Sequence, residues 1–233
     1  MKFDLTIIPK SREDIILPGK SSEELAEETG LHIGDGSMNF YENKYDIRGI
    51  YSLRGHIKDD KEHYDKTIKK LYKNLYGINV SLRDMPSDGV YGFQKWSNNL
   101  VNFKHKILKL CLGKKLDIKI PEVFMKKEEL LTSVIRGIFD TDGCLYLEPK
   151  NHKLYPRIDI CTISKTLGYQ LNFLIKKLNL SSTLQVQHRK NIKWNDLYRV
   201  TLKGEKMLNK WFDIIDPHNP KHIRKYKFYI NKL

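Results

Sequence analysis

The sequence predicts an α+β fold in which two units of the order αββαββα follow one another. One observation behind this prediction is an internal repeat: ETGLHIGDG at 28–36 returns in altered form as IRGIFDTDG at 135–143, an offset of 107 positions. The other is that the same alternation of strand-like and helix-like patterns follows each segment. Each unit should form an antiparallel sheet with helices on one face and a basic face left open, and a pseudo-two-fold axis should relate the units.

The first unit is predicted from capping and turn signals. Ser21 and Glu24 have the spacing of a capping box, and Ser97 precedes a second helical pattern. Apolar and polar residues alternate over 46–58, as in a strand with one buried face. The predicted elements are a helix at 22–35, strands at 37–41 and 46–58, a helix from Asp59 or Asp60 that ends before Gly77, strands at 79–83 and 90–96, and a helix from Ser97 that stops at Gly113.

The second unit repeats this order. The predicted elements are a helix at 127–142, strands at 144–148 and 157–163, a helix at 166–178, strands at 183–189 and 197–203, and a helix at 205–215. The chain is therefore divided into an N-terminal arm at 1–20, a first unit at 21–113, a short basic linker at 114–126, and a second unit at 127–233 with a basic C-terminal tail.

Both repeated segments are predicted to end a helix with an Asp, at Asp35 and Asp142. A helix C-terminus already carries partial negative charge, so a carboxylate there predicts a cation nearby. Small residues four apart upstream would let the two helices pack closely and bring their ends together. These interface residues are Gly30 and Gly34 in the first helix and Gly137 and Thr141 in the second. Two adjoining carboxylates favour a divalent cation, a ligand set suited to metal-assisted phosphodiester cleavage.

IRGIFDTDG resembles the LAGLIDADG signature of homing endonucleases, and ETGLHIGDG resembles its partner copy. The second copy matches the pattern at Ile135, Gly137, Ile138, Phe139, Asp140, Asp142 and Gly143. The first copy keeps Gly30, Leu31, Asp35 and Gly36, and departs from the pattern at Glu28, Thr29, His32 and Ile33. The departures leave the penultimate acid, which carries the chemistry in that family, in place in both copies.

The resemblance implies a single-chain, monomeric endonuclease that cuts both strands of a long, asymmetric duplex DNA target. It implies that Asp35 and Asp142 share divalent metal, Mg²⁺ or an ion such as Mn²⁺, with Gly34 and Thr141 in the same ligand set. Members of the family also place a basic residue near each scissile phosphate. Alignment of the repeats nominates Lys95 and Lys203 as catalytic, with Lys58 and Lys165 as weaker choices.

The open sheet faces are expected to form a saddle that binds DNA. Basic and amide side chains follow the strands, and Gln and Arg are the side chains that pair with adenine and guanine edges in the major groove. The candidates are Arg48, Arg54, His56, Lys58, Arg83, Gln185, Gln187, Arg189, Lys193, Arg199 and Thr201. The basic tail at 217–227 is expected to neutralise phosphates rather than read bases.

The composition agrees with a polyanionic partner and excludes a membrane-spanning protein. The chain of 233 residues has 42 Lys and Arg against 28 Asp and Glu, a net charge of +14. It has no apolar run of about 18 residues, so a cytoplasmic protein that needs no membrane is expected. Its three cysteines lack metal-ligand spacing and predict reduced thiols. Two alternatives stay open: a splicing cofactor that binds intron RNA, and a DNA-binding regulator without catalysis. The retention of both acids favours the nuclease.

Overall fold

A computed structural model describes residues 1–9, 14–42, 44–150, 153–189, 191 and 194–232. The first unit contains α1 (Glu23–Asp35), β1 (Gly36–Glu42), β2 (Ile47–His56), α2 (Lys61–His63), a π-helical turn (Tyr64–Ile68), α3 (Lys69–Tyr76), β3 (Arg83–Met85), a 3₁₀ turn (Pro86–Asp88), β4 (Val90–Trp96), α4 (Asn98–Asn102) and a second π-helical turn (Phe103–Ile107). After a 3₁₀ turn (Glu122–Phe124), the second unit contains α5 (Glu128–Asp142), β5 (Gly143–Lys150), β6 (Lys153–Thr162), α6 (Lys165–Lys177), β7 (Thr183–Gln187), β8 (Leu197–Lys203), α7 (Glu205–Ile214) and α8 (Pro220–Ile230).

The described strands form two antiparallel sheets of the same topology. Their strand orders are β1-β2-β4-β3 and β5-β6-β8-β7. In the first sheet Leu53 pairs with both Gly36 and Phe93, and in the second the matching row joins Gly143, Ile160 and Val200, each 107 positions later. The predicted α+β fold with two related units is confirmed.

One face of each sheet is buried under helices and the other is open. In the first sheet Leu53 and Phe93 are no more than 1% exposed, whereas Arg54 and Gln94, which alternate with them, point to the open face. The second sheet follows the same rule. No helix in the described part of the chain is long and apolar enough to cross a membrane.

Several predicted boundaries differ from the structure. The N-cap of α1 is Ser22, whose hydroxyl accepts from the amide of Leu25 at 3.2 Å, while Ser21 instead bonds the N-terminal amine. The predicted strand at 79–83 forms only at Arg83–Met85, because the apolar residues before it fill the core without pairing. The helix predicted to stop at Gly113 ends at Ile107, before Lys109 adopts a left-handed φ of 59°.

Two segments predicted as simple connections are ordered against the units. In the predicted linker, the main chain of Ile120 makes two hydrogen bonds with the side chain of Gln170, and the carbonyl of Ile118 accepts from the Ser164 hydroxyl. The predicted tail forms helix α8, which begins at the cap residue Asn219. Both segments carry lysines into the centre of the molecule. The domain boundaries themselves stay predictions.

Candidate active site

The two motif helices, α1 and α5, pack at backbone contact distance. A Cβ placed on Gly30 would lie 2.2 Å from the carbonyl oxygen of Val134, and one on Gly137 would lie 2.1 Å from that of Glu27. Glu27 and Val134 are themselves 107 positions apart, so the contact is the same seen from either helix. No side chain larger than hydrogen fits at Gly30 or Gly137, which explains why glycine occupies both positions.

This close packing brings the C-terminal ends of the helices together. A Cβ on Gly34 would lie 1.9 Å from the hydroxyl oxygen of Thr141 and 3.4 Å from the carboxyl carbon of Asp142. Asp142 therefore lies beside the residue that precedes Asp35. The structure thus juxtaposes the four predicted interface residues and the two predicted acids. The Thr141 hydroxyl donates back to the carbonyls of Gly137 and Ile138, both at 3.0 Å.

The two acids are electrostatically strained. Burial, followed by the charges of Asp142 and Asp60, raises the pKa of Asp35 to about 7. Asp142 has one side in contact with solvent, yet loss of water around the rest of it raises its pKa, against the opposing effect of Lys115 and Lys221. Within the described residues Tyr64 is the one hydrogen-bond donor to Asp35, at 3.2 Å, and Asp142 has none.

Carboxylates with raised pKa values and few donors fit a divalent cation. Among the residues that the structure describes, no cluster of three or more His, Cys, Asp or Glu side chains could hold a metal. Two carboxylates alone suit Mg²⁺, which keeps several waters and takes its remaining ligands from a phosphate substrate. Of the other predicted ligands, the carbonyl of Gly34 accepts a hydrogen bond from Lys115. The ligand set stays a prediction.

The cation predicted beside the acids is present, and it comes from the two connecting segments. The ammonium group of Lys115, in the predicted linker, donates to the carbonyls of Ile33, at 2.9 Å, and Gly34 in the last turn of α1. Burial lowers the pKa of Lys115, while the charges of Asp142 and Asp35 oppose that shift. Lys221, in the first turn of α8, is a positive charge that acts to lower the pKa values of both acids.

The two lysines occupy matching positions in the repeat. Lys115 follows Asp35 by 80 positions, and Lys221 follows Asp142 by 79. Sequence reasoning missed both because it looked for the basic residue on a strand and treated these segments as a linker and a tail. The signal that could have found them is this spacing, since it repeats at nearly the same offset as the acids.

The lysines nominated from the sequence lie elsewhere in the sheets. Lys95 pairs with Tyr51 and shares the parity of the buried face, whereas Lys203 pairs with Arg157 on the open face. By register Lys203 corresponds to Trp96 rather than to Lys95, so these two lysines are not related by the repeat. Lys58 lies two residues beyond the end of β2, and Lys165 is the first residue of α6. None of the four is among the charges that act on the pKa values of the two acids.

Most of the predicted DNA-binding residues lie on the open faces or at their ends. In the second sheet Gln185, Gln187 and Arg199 line a pocket of about 610 Å³. Thr201 is buried, and its hydroxyl donates to the Asp159 carboxylate at 2.7 Å. The other described candidates are Arg48, Arg54, His56, Lys58, Arg83 and Arg189, all at least partly exposed, while Lys193 lies outside the described residues.

The second unit matches a known protein family in sequence. Residues 129–216 match the family model of the LAGLIDADG-like domain. The second unit is therefore similar in sequence to a LAGLIDADG-like domain. This stretch contains α5 with Asp142 and both hairpins of the second sheet, so the predicted family resemblance is confirmed.

Solved LAGLIDADG endonucleases share the fold of both units. The homing endonuclease I-DmoI in complex with DNA and Ca superposes with a TM-score of 0.62 at 15% identity, over 88% of this chain and 97% of that one. I-DmoI was also solved with DNA and Mn. The LAGLIDADG homing endonuclease I-GzeII in complex with its DNA target gives 0.55 at 9% identity, over 91% and 89% of the two chains.

A curated relative is similar to this chain over part of its own, longer sequence. The glutamine–fructose-6-phosphate aminotransferase of Methanocaldococcus jannaschii is 23% identical over 218 residues, 93% of this chain. The chain spans only 18% of the length of that relative. The aminotransferase activity belongs to that longer protein and is not assigned to this chain.

Proposed function

We propose that this protein is a site-specific DNA endonuclease that cuts both strands of a duplex by divalent-metal-assisted hydrolysis. The observation that carries the proposal is the juxtaposition of Asp35 and Asp142 at two packed helix ends, with Lys115 and Lys221 at matching positions beside them. Without a catalytic use, two acids in this position would raise the energy of the fold and repel DNA. The solved relatives bound to DNA with Ca or Mn support the same substrate and the same class of ion.

Asp35 and Asp142 would hold Mg²⁺, or Mn²⁺ in its place. The bound ion would orient a water and stabilise the leaving 3′ oxygen of the cleaved strand. The protein supplies the rest of the electrostatics. Lys115 and Lys221 are positioned to stabilise the charge that develops on the scissile phosphates. Lys95 and Lys203 stay a prediction for this role, but the charges acting on the acids support Lys115 and Lys221 better.

The open sheet faces would hold the duplex over this centre. Asp35 and Asp142 directly precede β1 and β5, so each sheet extends outward from the acids along its open face. Gln185, Gln187 and Arg199 have the chemistry to read purine edges, and the net charge of +14 would neutralise phosphates. Because one chain carries both units, the protein would work as a monomer. A cytoplasmic location stays a prediction.

The two alternatives are less well supported. A splicing cofactor that binds intron RNA needs basic surface but neither of the two acids, and a non-catalytic DNA regulator gains nothing from them. Retention of both acids together with both lysines favours catalysis over either. A protein that both cleaves DNA and assists splicing would show the same centre, and the RNA role needs its own binding assay.

The test is cleavage of a pool of random duplexes, with the cut ends identified by sequencing. The wild-type protein should cut a small set of sites in the presence of Mg²⁺ and leave short 3′ overhangs. Asp35→Asn and Asp142→Asn should each abolish double-strand cleavage, because each removes a metal ligand. Binding to the same duplex in metal-free buffer should persist or tighten, because each change removes a negative charge that faces phosphate.

Asp88→Asn is the matched control, since Asp88 is an exposed acid in a hairpin turn of the first unit. It should cut at the wild-type rate. A wild-type protein that cuts no duplex with either ion would remove the proposed function. Cleavage by either motif variant at saturating Mg²⁺ would remove that acid from the active site.

A further inference from the structure

A third carboxylate, Asp60, lies behind the proposed centre and bonds across the two units. Asp60 is the cap residue between β2 and α2, and its side chain is 6% exposed. One carboxyl oxygen accepts from the ammonium of Lys221 at 2.7 Å and from the side-chain amide of Asn219 at 2.8 Å. The other accepts from the backbone amide of His56 at 2.8 Å. A buried carboxylate with three donors is held firmly, so it can fix the groups that it bonds.

The groups that it fixes belong to the second unit. Asn219 caps α8, accepting from the amide of Lys221, and its side-chain amide also donates to the carbonyl of Asp140 at 2.8 Å in motif helix α5. The first turn of α8 is thereby tied to both units at once. Lys221 is in that turn, so the position of its ammonium depends on a contact with the first unit.

Among the residues that the structure describes, the other half of the centre has no such carboxylate. The helix of the second unit that corresponds to α2 is α6, and its cap residue is Ser164. The Ser164 hydroxyl donates to the carbonyl of Ile118, three residues after Lys115, at 2.8 Å. Lys115 itself is held by the neutral carbonyls of α1. At the caps of these two corresponding helices, an anion holds the lysine of one half, and a hydroxyl holds the segment that carries the lysine of the other half.

We propose that Asp60 is a positioning residue that holds Lys221 toward the paired acids, and that cleavage of one DNA strand depends on this contact more than cleavage of the other. The inference rests on the proposed function. Beyond that function, Asp60 lies outside both motifs and would make the cleavage rates of the two DNA strands unequally sensitive to its loss. Removal of the carboxylate would leave Lys221 free to move, and a displacement of about 1 Å costs a catalytic group about 100-fold in rate.

The experiment is single-turnover cleavage of one duplex, recovered from the random pool and labelled on each strand separately. Asp60→Asn should slow one strand about 10- to 100-fold and leave the other within a few-fold, so that nicked product accumulates. The Kd for the duplex in metal-free buffer should stay within a few-fold. In the Lys221→Met background, Asp60→Asn should cause no further slowing, because a positioning residue acts only through its partner.

Glu62→Gln is the matched control. Glu62 lies two residues from Asp60 and also joins α2 to α8, through an exposed ion pair with Arg224. It should leave both strands at the wild-type rate. Equal slowing of both strands, additive effects in the double variant, or the same nicking in Glu62→Gln would overturn the inference. Thermal melting identifies a variant that fails to fold, in which case Asp60→Ala replaces Asp60→Asn with the same criteria.

A second readout separates this inference from the proposed function. Acetylation of lysines by a water-soluble acyl ester, followed by mass spectrometry, reports the freedom of the Lys221 ammonium without DNA or metal. Asp60→Asn should increase the modification of Lys221 several-fold and leave Lys115 unchanged, whereas Glu62→Gln should change neither. If the wild-type protein cut no duplex, the proposed function would fail while this measurement still judged the contact. Unchanged modification of Lys221 would overturn the inference itself.

Discussion

The cores of the two units differ at one pair of matching positions, which is charged in the first unit and apolar in the second. In the first unit Glu28 and Lys104 form a buried ion pair, each 0% exposed, with a nitrogen-to-oxygen distance of 2.6 Å to one carboxyl oxygen. The positions 107 residues later are Ile135 and Trp211, both fully buried and apolar. Lys104 and Trp211 each lie seven residues after the cap of their helix, so the correspondence is structural as well as numerical.

The ion pair survives burial because its polar groups are satisfied. The hydroxyls of Tyr51, Tyr72 and Tyr76 all reach the Glu28 carboxylate, the last at 3.0 Å. The Lys104 ammonium also lies 4.7 Å from the centre of the Tyr51 ring. The comparison teaches that a charged departure from the LAGLIDADG pattern at Glu28 is compensated by residues far along the chain, so the motif must be judged with its surroundings.

The largest expected effect comes from breaking that pair on one side only. Glu28→Ile, which installs the residue of the second unit, should lower the free energy of unfolding by about 3 to 5 kcal/mol, because it leaves the Lys104 ammonium buried without its partner. The double variant Glu28→Ile with Lys104→Met should recover most of that loss, since apolar groups of similar volume replace a buried pair at little cost. Urea unfolding of the single and double variants measures both effects.

Lys66→Met is the control, because Lys66 forms an exposed ion pair with Glu62 in the same unit. Its effect should stay below about 1 kcal/mol. A double variant as unstable as Glu28→Ile would show that the tyrosine hydroxyls, rather than the unpaired ammonium, set the cost.

Much of the fold could be predicted from the sequence, but the buried Glu28–Lys104 network could not. The two motif helices, their glycine contact and the position of both acids follow from local patterns and from the repeat, and the sheets follow from alternation. The positions of Lys115 and Lys221 could not be predicted in this way, because their segments carry no strong helix or strand pattern and contact the site only through the tertiary fold. The Glu28–Lys104 pair was equally hidden, since a lysine 76 residues away gives no local sign that it meets a buried glutamate.

A second difference within the motifs concerns Asp140, which corresponds to Ile33 in the first unit. Ile33 is 2% exposed and apolar, whereas Asp140 is 0% exposed. One carboxyl oxygen accepts from the amide of His218 at 2.9 Å, and the other has no partner among the described residues. Burial raises the pKa of Asp140 to about 7.

The raised pKa fixes the sign of a pH effect on stability. The folded state binds a proton at Asp140 more tightly than the unfolded state, whose ordinary pKa is 3.8, so this group destabilises the protein as pH rises through 4 to 7. Asp140→Asn imitates the protonated form. It should raise the free energy of unfolding by about 3 to 4 kcal/mol at pH 8 and change it little at pH 4, where the carboxyl group is largely protonated in the folded state and half protonated in the unfolded state. Urea unfolding at the two pH values, in metal-free buffer, is the measurement.

Asp213→Asn, an exposed acid on α7, should show the same stability as wild type at both pH values. Since Asp35 also has a pKa raised to about 7, the stability of Asp140→Asn should still fall as the pH rises, with a smaller slope than that of the wild-type protein. A loss of stability in Asp140→Asn at pH 8 would contradict this prediction. It would mean that the hydrogen bond from the His218 amide stabilises the ionised carboxylate by more than burial destabilises it.

The smallest expected effect comes from the outer ends of the open faces, which differ in charge. In the first sheet Tyr41 and Trp96 meet edge to face with ring centres 6.2 Å apart, and both are more than half exposed. At the matching positions the second sheet has Glu148 and Lys203, and the former pairs with Arg157. If both ends contact the duplex, one should contribute by apolar contact and the other by charge.

Salt dependence separates these two contributions. Lys203→Ala should weaken binding to the duplex and reduce the slope of log K against log salt by about 0.9, the value for one phosphate contact. Trp96→Ala should weaken binding by about 1 kcal/mol and leave the slope unchanged, because an aromatic ring releases no counterions. Fluorescence anisotropy in metal-free buffer at several salt concentrations measures both. Equal slopes for wild type and Lys203→Ala would place that lysine off the DNA, and a reduced slope for Trp96→Ala would mean that the aromatic end orders a neighbouring cation such as Arg48 rather than contacting the duplex itself.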